Sequence, residues 1–389
     1  MKIKGDFSYE HLLCTPINLL GKGCLNEAKD SIKSLGTKKA FIVSDKFLVS
    51  NGTVKKVTDI LSQIDIDFVV YDEVKQNPTV TNVNKGLKIL KSENCDFVIT
   101  IGGGSPQDCG KAISILATNG GDIRDYEGIN KTSKKCLPII AITTTAGTSA
   151  EVTINYVITD EDRHVKMIMV DTNSLATMTV NDPELMISKP SNLTAATGMD
   201  ALTHAIEAVV ANGAYDVTDS TALYAIKQIF KYLPRAVKNG NDIEAREQMC
   251  YACFLNGIAF SNAGLGNVHA MAHQLGGLYD LPHGVCNAML LPIVEEENAK
   301  SAPAKFRPIA EVIGMDVNNK SDKECVDFVI DKIKALSEEV GIPKSLKDVG
   351  VDNPNFELLA ENSMKDACAG ANPVFFDKDK IIELFMKIS

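Results

Sequence analysis

The chain has 389 residues, 45% of them hydrophobic and 23% charged, and a formal net charge of −10 at pH 7. This length suits about two globular domains, and the composition excludes a disordered or fibrous protein. The sequence has no strongly basic run, no apolar run of membrane-spanning length and no apolar signal-peptide core within residues 1–6. We therefore expect a cytoplasmic protein that binds neither nucleic acid nor membrane.

Ten cysteines are scattered along the chain. In a reducing cytoplasm we expect them to be thiols, most of them acting as small buried apolar groups. The one C-x-x-C pair, Cys250 and Cys253, lies in a helical pattern without a second pair that would complete a zinc site. We interpret this pair as structural.

Apolar strands alternate with amphipathic helices in the first half of the chain. The pattern predicts strands at residues 38–44, 68–72, 96–101 and 137–142, and a helix at residues 82–91. This alternation is typical of a parallel sheet with helices on both faces. Ligands of such sheets bind at the carboxyl ends of the strands.

Two turns rich in small residues follow two of these strands. The first is Gly102-Gly103-Gly104-Ser105-Pro106, in which Pro106 suits the first turn of a helix. Glycines let the backbone approach a ligand closely, and the free N–H groups of the helix start favour a phosphate. The pattern is not the usual dinucleotide fingerprint G-x-G-x-x-G. The second turn, residues 143–151, offers hydroxyl and backbone donors for the other side of a pyrophosphate.

Asp45 follows the first predicted strand. A carboxylate there can accept hydrogen bonds from an adenosine ribose and repel a 2′-phosphate, which favours NAD over NADP. The position suits a helix cap equally well. Both interpretations stay open on the sequence alone.

The pattern changes after residue 153. Strand-like runs at residues 154–159, 166–170 and 177–180 predict a small antiparallel extension of the sheet. From residue 191 onward the pattern is helical, so we predict an α/β domain at residues 1–188 and a helical domain at residues 189–389.

Four of the six histidines lie between residues 200 and 283. Asp200 and His204 are four residues apart in one helical run, and His269 and His273 repeat this spacing in another, so each pair lies on one helix face. His283 follows in a loop between Pro282 and Gly284. A single such pair is more often a cap or an ion pair. Two pairs with a further histidine predict a metal site of nitrogen and oxygen donors, which suits Fe(II), Zn(II), Ni(II) or Cu(II) better than Mg(II) or Ca(II).

Taken together, residues 102–108, 144–153, 181–183, 195–207 and 264–292 resemble the iron-dependent (group III) alcohol dehydrogenase family. Within it, the chain is most similar to the branch of lactaldehyde reductase, 1,3-propanediol dehydrogenase and butanol dehydrogenase-like enzymes. The resemblance spans nearly the full chain and is most specific at residues 264–284. It implies a dehydroquinate synthase-like architecture, in which an α/β dinucleotide-binding domain and an all-α metal-binding domain enclose the active site.

The resemblance also implies roles for individual residues. It implies that the metal ligands are Asp200, His204, His269 and His283. It also implies that His273 is a catalytic residue beside the substrate, whereas spacing alone favours His273 as a ligand. Phe260 and Cys368 would line the substrate pocket. The implied contacts of the dinucleotide are Asp45, Asn77, Gly103, Gly104, Ser105, Thr144, Thr145, Thr148, Asn155, Lys166 and Leu185. Taken alone, Lys166 would be a solvated lysine without an obvious partner.

The reaction that the resemblance implies is hydride transfer between NAD(H) and a small primary alcohol or diol, of the ethanol, propanol, butanol or propanediol type. A divalent metal, Fe(II) or alternatively Zn(II), would act as the Lewis acid, and NADP(H) is the less favoured cofactor. The proton would leave through a ribose hydroxyl, His273 or water.

Two other classes of function remain as alternatives. A lyase of the dehydroquinate synthase type would share the architecture, NAD and a metal, but it needs basic residues that the segments around the histidines do not offer. A non-catalytic binder would hold NAD without turnover. By family analogy we also expect a homodimer or larger homo-oligomer, with aldehyde reduction in fermentation as its task.

Overall fold

The computed structural model describes residues 11–163, 165–187 and 189–389. The chain divides into two units, Cys14–Ser188 and Lys189–Ser389, and residues 11–13 belong with the second. The backbone N–H of Leu13 donates to Oδ1 of Asn262 at 2.7 Å, and its carbonyl accepts from Nδ2 of the same residue at 3.0 Å. Residues 11–13 therefore pack with the helical unit, whereas the predicted bounds placed them in the α/β domain.

The first unit alternates strands and helices. In chain order its elements are β1 (Ile17–Leu20), α1 (Cys24–Ser34), β2 (Lys39–Val43), α2 (Lys46–Ser50), α3 (Thr53–Gln63), β3 (Asp67–Tyr71), α4 (Val80–Ser92), β4 (Phe97–Gly102), α5 (Gly104–Asn119), β5 (Gly128–Ile129), β6 (Ile139–Thr143), β7 (Asn155–Asp160), β8 (Val165–Val170) and β9 (Met178–Asn181). Short 3-10 helices lie at Ile123–Tyr126, Thr172–Ser174 and Pro183–Leu185.

Six strands form a parallel sheet in the order β1-β9-β6-β4-β2-β3. Because successive side chains of a strand point to opposite faces, each central strand contributes to two apolar cores. In β2, Phe41 belongs to one core, whereas Ala40 and Ile42 belong to the other. The predicted parallel α/β sheet is confirmed. Its central strands are apolar on both faces, as expected for a parallel sheet that helices cover on both sides.

The predicted antiparallel extension is wrong in part. β7 and β8 do pair antiparallel, but they form a separate three-stranded sheet with β5. β9 instead lies inside the main sheet, parallel to both β1 and β6. All four of its residues are buried. A short strand buried on both faces carries no alternating pattern that would show its partners.

The two turns identified from the sequence lie at the carboxyl ends of the central strands. The backbone N–H of Thr144, after β6, donates to the carbonyl of Gly102 at 3.1 Å. The hydroxyl of Ser44, after β2, donates to the carbonyl of Ile101 at 2.9 Å. β2 has β3 on one side and β4 on the other, so the direction of strand addition reverses here. Ligands of open α/β sheets bind at such a reversal.

The second unit contains helices and no strand among the residues that the structure describes. Its helices are α6 (Ser191–Val210), α7 (Asp216–Lys238), α8 (Ile243–Ala263), α9 (Asn267–Tyr279), α10 (His283–Asn298), α11 (Phe306–Val312), α12 (Asp322–Glu339), α13 (Phe356–Ser363) and α14 (Lys378–Met386), with 3-10 helices at Pro303–Lys305, Lys347–Val349 and Ala367–Ala371. This confirms the predicted all-α second half. Within the described ranges, no helix has the length and apolarity that crossing a bilayer requires.

Helix α6 is central to this unit. Most of its residues are buried, including the polar residues Asp200, His204 and Glu207. These three follow the i, i+4, i+7 spacing of a single helix face. Burying an unpaired carboxylate is costly, so this face is stabilised only if other groups neutralise it.

Candidate functional site

Four side chains of the helical unit converge on one point. Donor atoms of Asp200, His204, His269 and His283 all lie within 4.8 Å of one another. Oδ1 of Asp200 lies 3.4 Å from Nε2 of His283 and 3.9 Å from Nε2 of His269. Nδ1 of His204 lies 4.0 Å from Oδ2 of Asp200. We call these residues the four-donor group.

Three helices supply this group. α6 carries Asp200 and His204 one turn apart, α9 carries His269 in its first turn, and α10 begins at His283. His283 therefore begins a helix, whereas the sequence indicated a loop; Pro282 precedes it as the cap residue. A Cβ at Gly284 would lie 2.2 Å from the carbonyl oxygen of Ala196, so only glycine lets the start of α10 lie against α6.

The protonation states of Asp200 and His204 suit a cation. Burial lowers the pKa of His204 to about 3, which keeps this imidazole neutral with a lone pair to donate. Burial alone would raise the pKa of Asp200, but the neighbouring imidazoles and a hydrogen bond from Asn287 outweigh it, and the pKa is lowered. At neutral pH the group therefore has an anionic oxygen donor beside a neutral imidazole.

These residues fit a divalent transition-metal ion. Nδ1 of His204 is buried and makes no hydrogen bond within the described part of the chain. An unpaired buried nitrogen is costly unless an ion uses its lone pair. Three imidazoles and one carboxylate are the donors that Fe(II) and Zn(II) favour. We find no such fit for Mg(II) or Ca(II), which prefer oxygen-only sites.

Glu207 is a residue of the site that the sequence analysis missed. Its Oε2 lies 2.5 Å from Nδ1 of His269, and its Oε1 accepts from the backbone N–H of Val268 at 2.8 Å. A carboxylate on the second nitrogen of a ligating histidine fixes the tautomer and makes the other nitrogen a better donor. Its position seven residues after Asp200, on the same helix face, was the signal that could have revealed it.

Replacing Glu207 with glutamine is expected to weaken metal affinity about 10-fold to 100-fold, because the charge that orients and polarises His269 is lost. The measurement is chelator competition with Zn(II) on the purified protein. Glu311→Gln, at an exposed position, is the matched control and should leave affinity unchanged. Unchanged affinity with reduced thermal stability would instead limit Glu207 to stabilising the start of α9.

Asn287 is a second missed residue. It is buried, and its Nδ2 lies 2.7 Å from Oδ1 of Asp200, 3.0 Å from Nε2 of His269 and 3.1 Å from Nε2 of His283. The amide thus contacts three of the four donors and holds the Asp200 carboxylate. It lies one helical turn after His283 on α10, which is the spacing that could have pointed to it.

His273 lies outside the four-donor group, although its ring stacks on that of His283 with centroids 5.3 Å apart. Its Nδ1 lies 2.9 Å from Oδ2 of Asp366, and the same carboxylate accepts from Gln274 Nε2 at 3.3 Å. Burial alone would raise the pKa of Asp366, but His273 and the hydrogen bonds lower it. An anionic Asp366 keeps a proton on Nδ1 of His273, which leaves the lone pair on Nε2.

The two predicted substrate-pocket residues both lie near histidines of the site. The ring of Phe260 is buried and stacks on that of His204 with centroids 4.2 Å apart. Cys368 forms a second cluster with His273 and Asp366, in which the three donor atoms lie within 4.8 Å of one another. Whether Phe260 and Cys368 touch a substrate stays a prediction.

In the α/β unit, the two small-residue turns lie against each other. A Cβ at Gly103 would lie 3.0 Å from Cγ2 of Thr145, and one at Gly104 would lie 3.1 Å from Cγ2 of Thr148. α5 begins at Gly104 without a side-chain cap, and Oγ1 of Thr145 is buried without a partner among the described residues. Free N–H groups, a helix dipole and a spare hydroxyl fit a pyrophosphate. Ser105 and Thr144 flank the same turns.

Asp45 caps a helix in this structure. Its Oδ1 accepts from the backbone N–H of Leu48 at 2.9 Å, and the residue is only half-buried. The capping interpretation is therefore observed, and it occupies one of the two carboxylate oxygens. The ribose contact stays a prediction, and the second oxygen is the atom that would make it.

Lys166 has a partner that the sequence did not reveal. Its Nζ donates to Oδ1 of Asn77 at 2.9 Å, and Asn77 has a left-handed backbone with a φ of 56°. The structure thus brings together two of the residues predicted to contact the dinucleotide. Leu185, in contrast, is 5% exposed and packs with residues such as Ile142 in the apolar core that also contains Ile42.

A buried lysine supports the segment after the second turn. Nζ of Lys111 donates to the carbonyls of Thr153 at 2.7 Å and Asn155 at 2.9 Å. Burial lowers its pKa to about 8, and the nearby Asp108 and Glu151 oppose this shift. Asn155, another predicted dinucleotide contact, is therefore held at the start of β7 by an internal ammonium group.

Comparison with known proteins extends these observations. A family model described as iron-containing alcohol dehydrogenase matches residues 16–183, and the C-terminal model of the Fe-containing alcohol dehydrogenase family matches residues 194–389. The chain is 49% identical to alcohol dehydrogenase 4 of Schizosaccharomyces pombe over 95% of this chain and 86% of that protein. It is 44% identical to the NAD-dependent methanol dehydrogenase of Bacillus methanolicus over 92% and 94%, respectively.

A solved structure of a 1,3-propanediol oxidoreductase superposes with a TM-score of 0.95 at 44% identity, covering 98% of this chain and all of that one. Both halves of the chain thus match the same family, and the resemblance inferred from the sequence is confirmed. The chain belongs to the iron-containing alcohol dehydrogenase family.

Proposed function

We propose that the chain is a metal-dependent alcohol dehydrogenase that transfers hydride between NAD(H) and a small primary alcohol or diol, or the corresponding aldehyde. The observation that carries the proposal is the four-donor group, in which an anionic Asp200 and a neutral His204 are buried together. Ethanol, propanol, butanol and the propanediols define the expected size of the substrate.

The helical unit would hold the metal through Asp200, His204, His269 and His283. When bound, a divalent ion supplies Lewis-acid chemistry that stabilises negative charge on the substrate oxygen. Glu207 and Asn287 would hold His269 and Asp200 in place. Phe260, stacked on His204, would supply an apolar wall for the carbon chain of the substrate.

The α/β unit would hold the dinucleotide. Gly103, Gly104 and Ser105 would contact the pyrophosphate on one side, and Thr144, Thr145 and Thr148 on the other. When bound, the nicotinamide supplies the hydride donor or acceptor. The second oxygen of Asp45 would accept from the adenosine ribose, which favours NAD(H) over NADP(H). Asn77, Asn155, Lys166 and Leu185 would contact the remaining parts of the cofactor.

His273 would exchange a proton during turnover. Because Asp366 holds the proton of Nδ1, the lone pair of Nε2 is the group available to the substrate oxygen or to a water molecule. This assigns Asp366 as a positioning residue for His273 and not as a proton donor itself.

The proposal extends to the organisation of the protein. We assign residues 1–188 as the NAD-binding domain and residues 189–389 as the metal-binding catalytic domain. The ten cysteines all lie within the described residues and form no disulfide there, which supports a reducing, cytoplasmic location. A homodimer or larger homo-oligomer and fermentative aldehyde reduction are proposed from the family resemblance alone.

Anaerobic turnover of propanal tests the reaction. The metal-stripped protein, and samples reloaded separately with Fe(II) or Zn(II), are mixed with NADH or with NADPH, and cofactor oxidation is followed. We expect rapid turnover with Fe(II) and NADH. Faster turnover with NADPH would overturn the role of Asp45, and faster turnover with Zn(II) would overturn the iron assignment. Turnover with no combination would overturn the reaction itself.

A further inference from the structure

We propose that His273, Asp366 and Cys368 form a second metal site, which binds a thiophilic divalent cation such as Zn(II) beside the four-donor group. The observation is geometric: one donor atom from each residue lies within 4.8 Å of the other two. The cluster shares no residue with the four-donor group. We call it the sulfur-containing site.

The donors of the two sites differ in kind. The four-donor group offers only nitrogen and oxygen, whereas the second cluster offers an imidazole, a carboxylate and a thiol that becomes a thiolate when it binds a metal. Thiolate ligands select Zn(II) and similar soft ions over Mg(II) and Ca(II). Three protein ligands leave the fourth tetrahedral position to water, as in zinc sites that keep one open position.

The site needs only small movements to close. Bonds of about 2.0–2.3 Å to zinc place tetrahedral donor atoms roughly 3.5 Å apart. Nδ1 of His273 is already 2.9 Å from Oδ2 of Asp366. Cys368 lies in the 3-10 helix Ala367–Ala371, which Asp366 caps, and its backbone N–H donates to Oδ1 of Asp366 at 2.9 Å. Sγ of Cys368 is within 4.8 Å of both other donor atoms, so a shift of about an ångström would bring it to the ion.

Binding would release protons in a balanced way. The Sγ–H proton of Cys368 passes to solvent when the metal–sulfur bond forms. The proton on Nδ1 of His273 also passes to solvent while Nε2 takes one up, so that Nδ1 binds the ion and Asp366 stays an anionic ligand. This inference rests on the proposed function in one respect: an ion at this position would remove His273 from proton exchange. Excess Zn(II) should then inhibit the enzyme without displacing the metal of the four-donor group.

The experiment uses Co(II) as a spectroscopic probe of the full-length, metal-stripped chain. A thiolate-to-cobalt charge-transfer band in the near ultraviolet arises only when sulfur is a ligand, so the four-donor group cannot produce it. We expect wild-type protein to bind two equivalents of Co(II) or of Zn(II), and the Co(II) form to show this band. Cys368→Ala should bind one equivalent and show no band. Neither readout requires turnover, so failure of the proposed reaction would not affect it.

The control is Cys14→Ser, which removes an exposed cysteine far along the sequence and should keep both the second equivalent and the band. Circular dichroism checks that each variant is folded, and Cys368→Ser provides a second variant with the same expected loss. In the iron-loaded enzyme, the Zn(II) concentration for half-inhibition should rise at least about tenfold in Cys368→Ala, with each variant compared with its own zinc-free rate. One equivalent in wild type, or a band that persists without Cys368, would overturn the proposal.

Discussion

Replacing Asp200 with asparagine is expected to remove the metal of the four-donor group and to lower the rate of aldehyde reduction at least about 10³-fold. Asp200 supplies the only negative charge among the four donors, and asparagine keeps its size while removing that charge. Lewis-acid stabilisation is worth several kcal/mol, and each 1.36 kcal/mol corresponds to a factor of ten in rate. Metal content per chain and the rate with propanal and NADH measure the effect.

A stability measurement separates loss of metal from loss of fold. An ion at 100 times its dissociation constant stabilises the folded state by about 2.7 kcal/mol, so Zn(II) should raise the melting temperature of wild type. In a Cys368→Ala background, which lacks the sulfur-containing site, the Asp200→Asn variant should melt at the same temperature with and without Zn(II). Asp216→Asn, at an exposed position, should behave as wild type in each assay.

Binding of NADH provides the remaining control. It depends on the α/β unit alone in our assignment, so the Asp200→Asn variant should retain it. A variant with full metal content would show that the three imidazoles suffice to hold the ion. Loss of NADH binding together with the metal would instead show that the variant is misfolded.

The sequence predicted the site where spacing along one helix carries the information. Asp200 and His204 are recognisable because a helix places residues four apart on one face. Glu207 and Asn287 follow the same rule from Asp200 and His283, and a systematic search at three, four and seven residues would have found them. Asp366 carries no such signal, because it lies 93 residues from His273 and meets it only through the tertiary fold.

A comparable limit applies to the sheet. The strands that became β2, β3, β4 and β6 were predictable because each is a separate apolar run followed by a turn. The position of β9 between β1 and β6 was not, because the pairing of β9 with β1 joins segments more than a hundred residues apart, such as Ile17 and Met178. Lys166 shows the same limit for side chains: its contact with Asn77 spans 89 positions of sequence.

Replacing His273 with glutamine is expected to lower kcat for aldehyde reduction about 10²-fold to 10⁴-fold, the range for loss of a positioned acid–base group. Glutamine keeps a hydrogen-bonding group near Asp366 but does not exchange a proton at neutral pH. The metal content of the four-donor group, measured on enzyme loaded with one equivalent of Fe(II), and the NADH affinity should stay unchanged, because His273 lies outside that group. Single-turnover rates and metal analysis on the same preparation measure both quantities.

Two further variants distinguish a chemical role from a structural one. Asp366→Asn should lower kcat about tenfold or more, because a neutral amide no longer fixes the proton on Nδ1 of His273. Gln274→Leu removes another hydrogen-bond donor to the same carboxylate and should have little effect. If His273→Gln lost the Fe(II) of the four-donor group in proportion to kcat, His273 would be a ligand of that group after all, as its spacing from His269 alone indicates. Unchanged metal with a lowered kcat would leave proton exchange as its role, since the histidine contacts the site without belonging to the donor group.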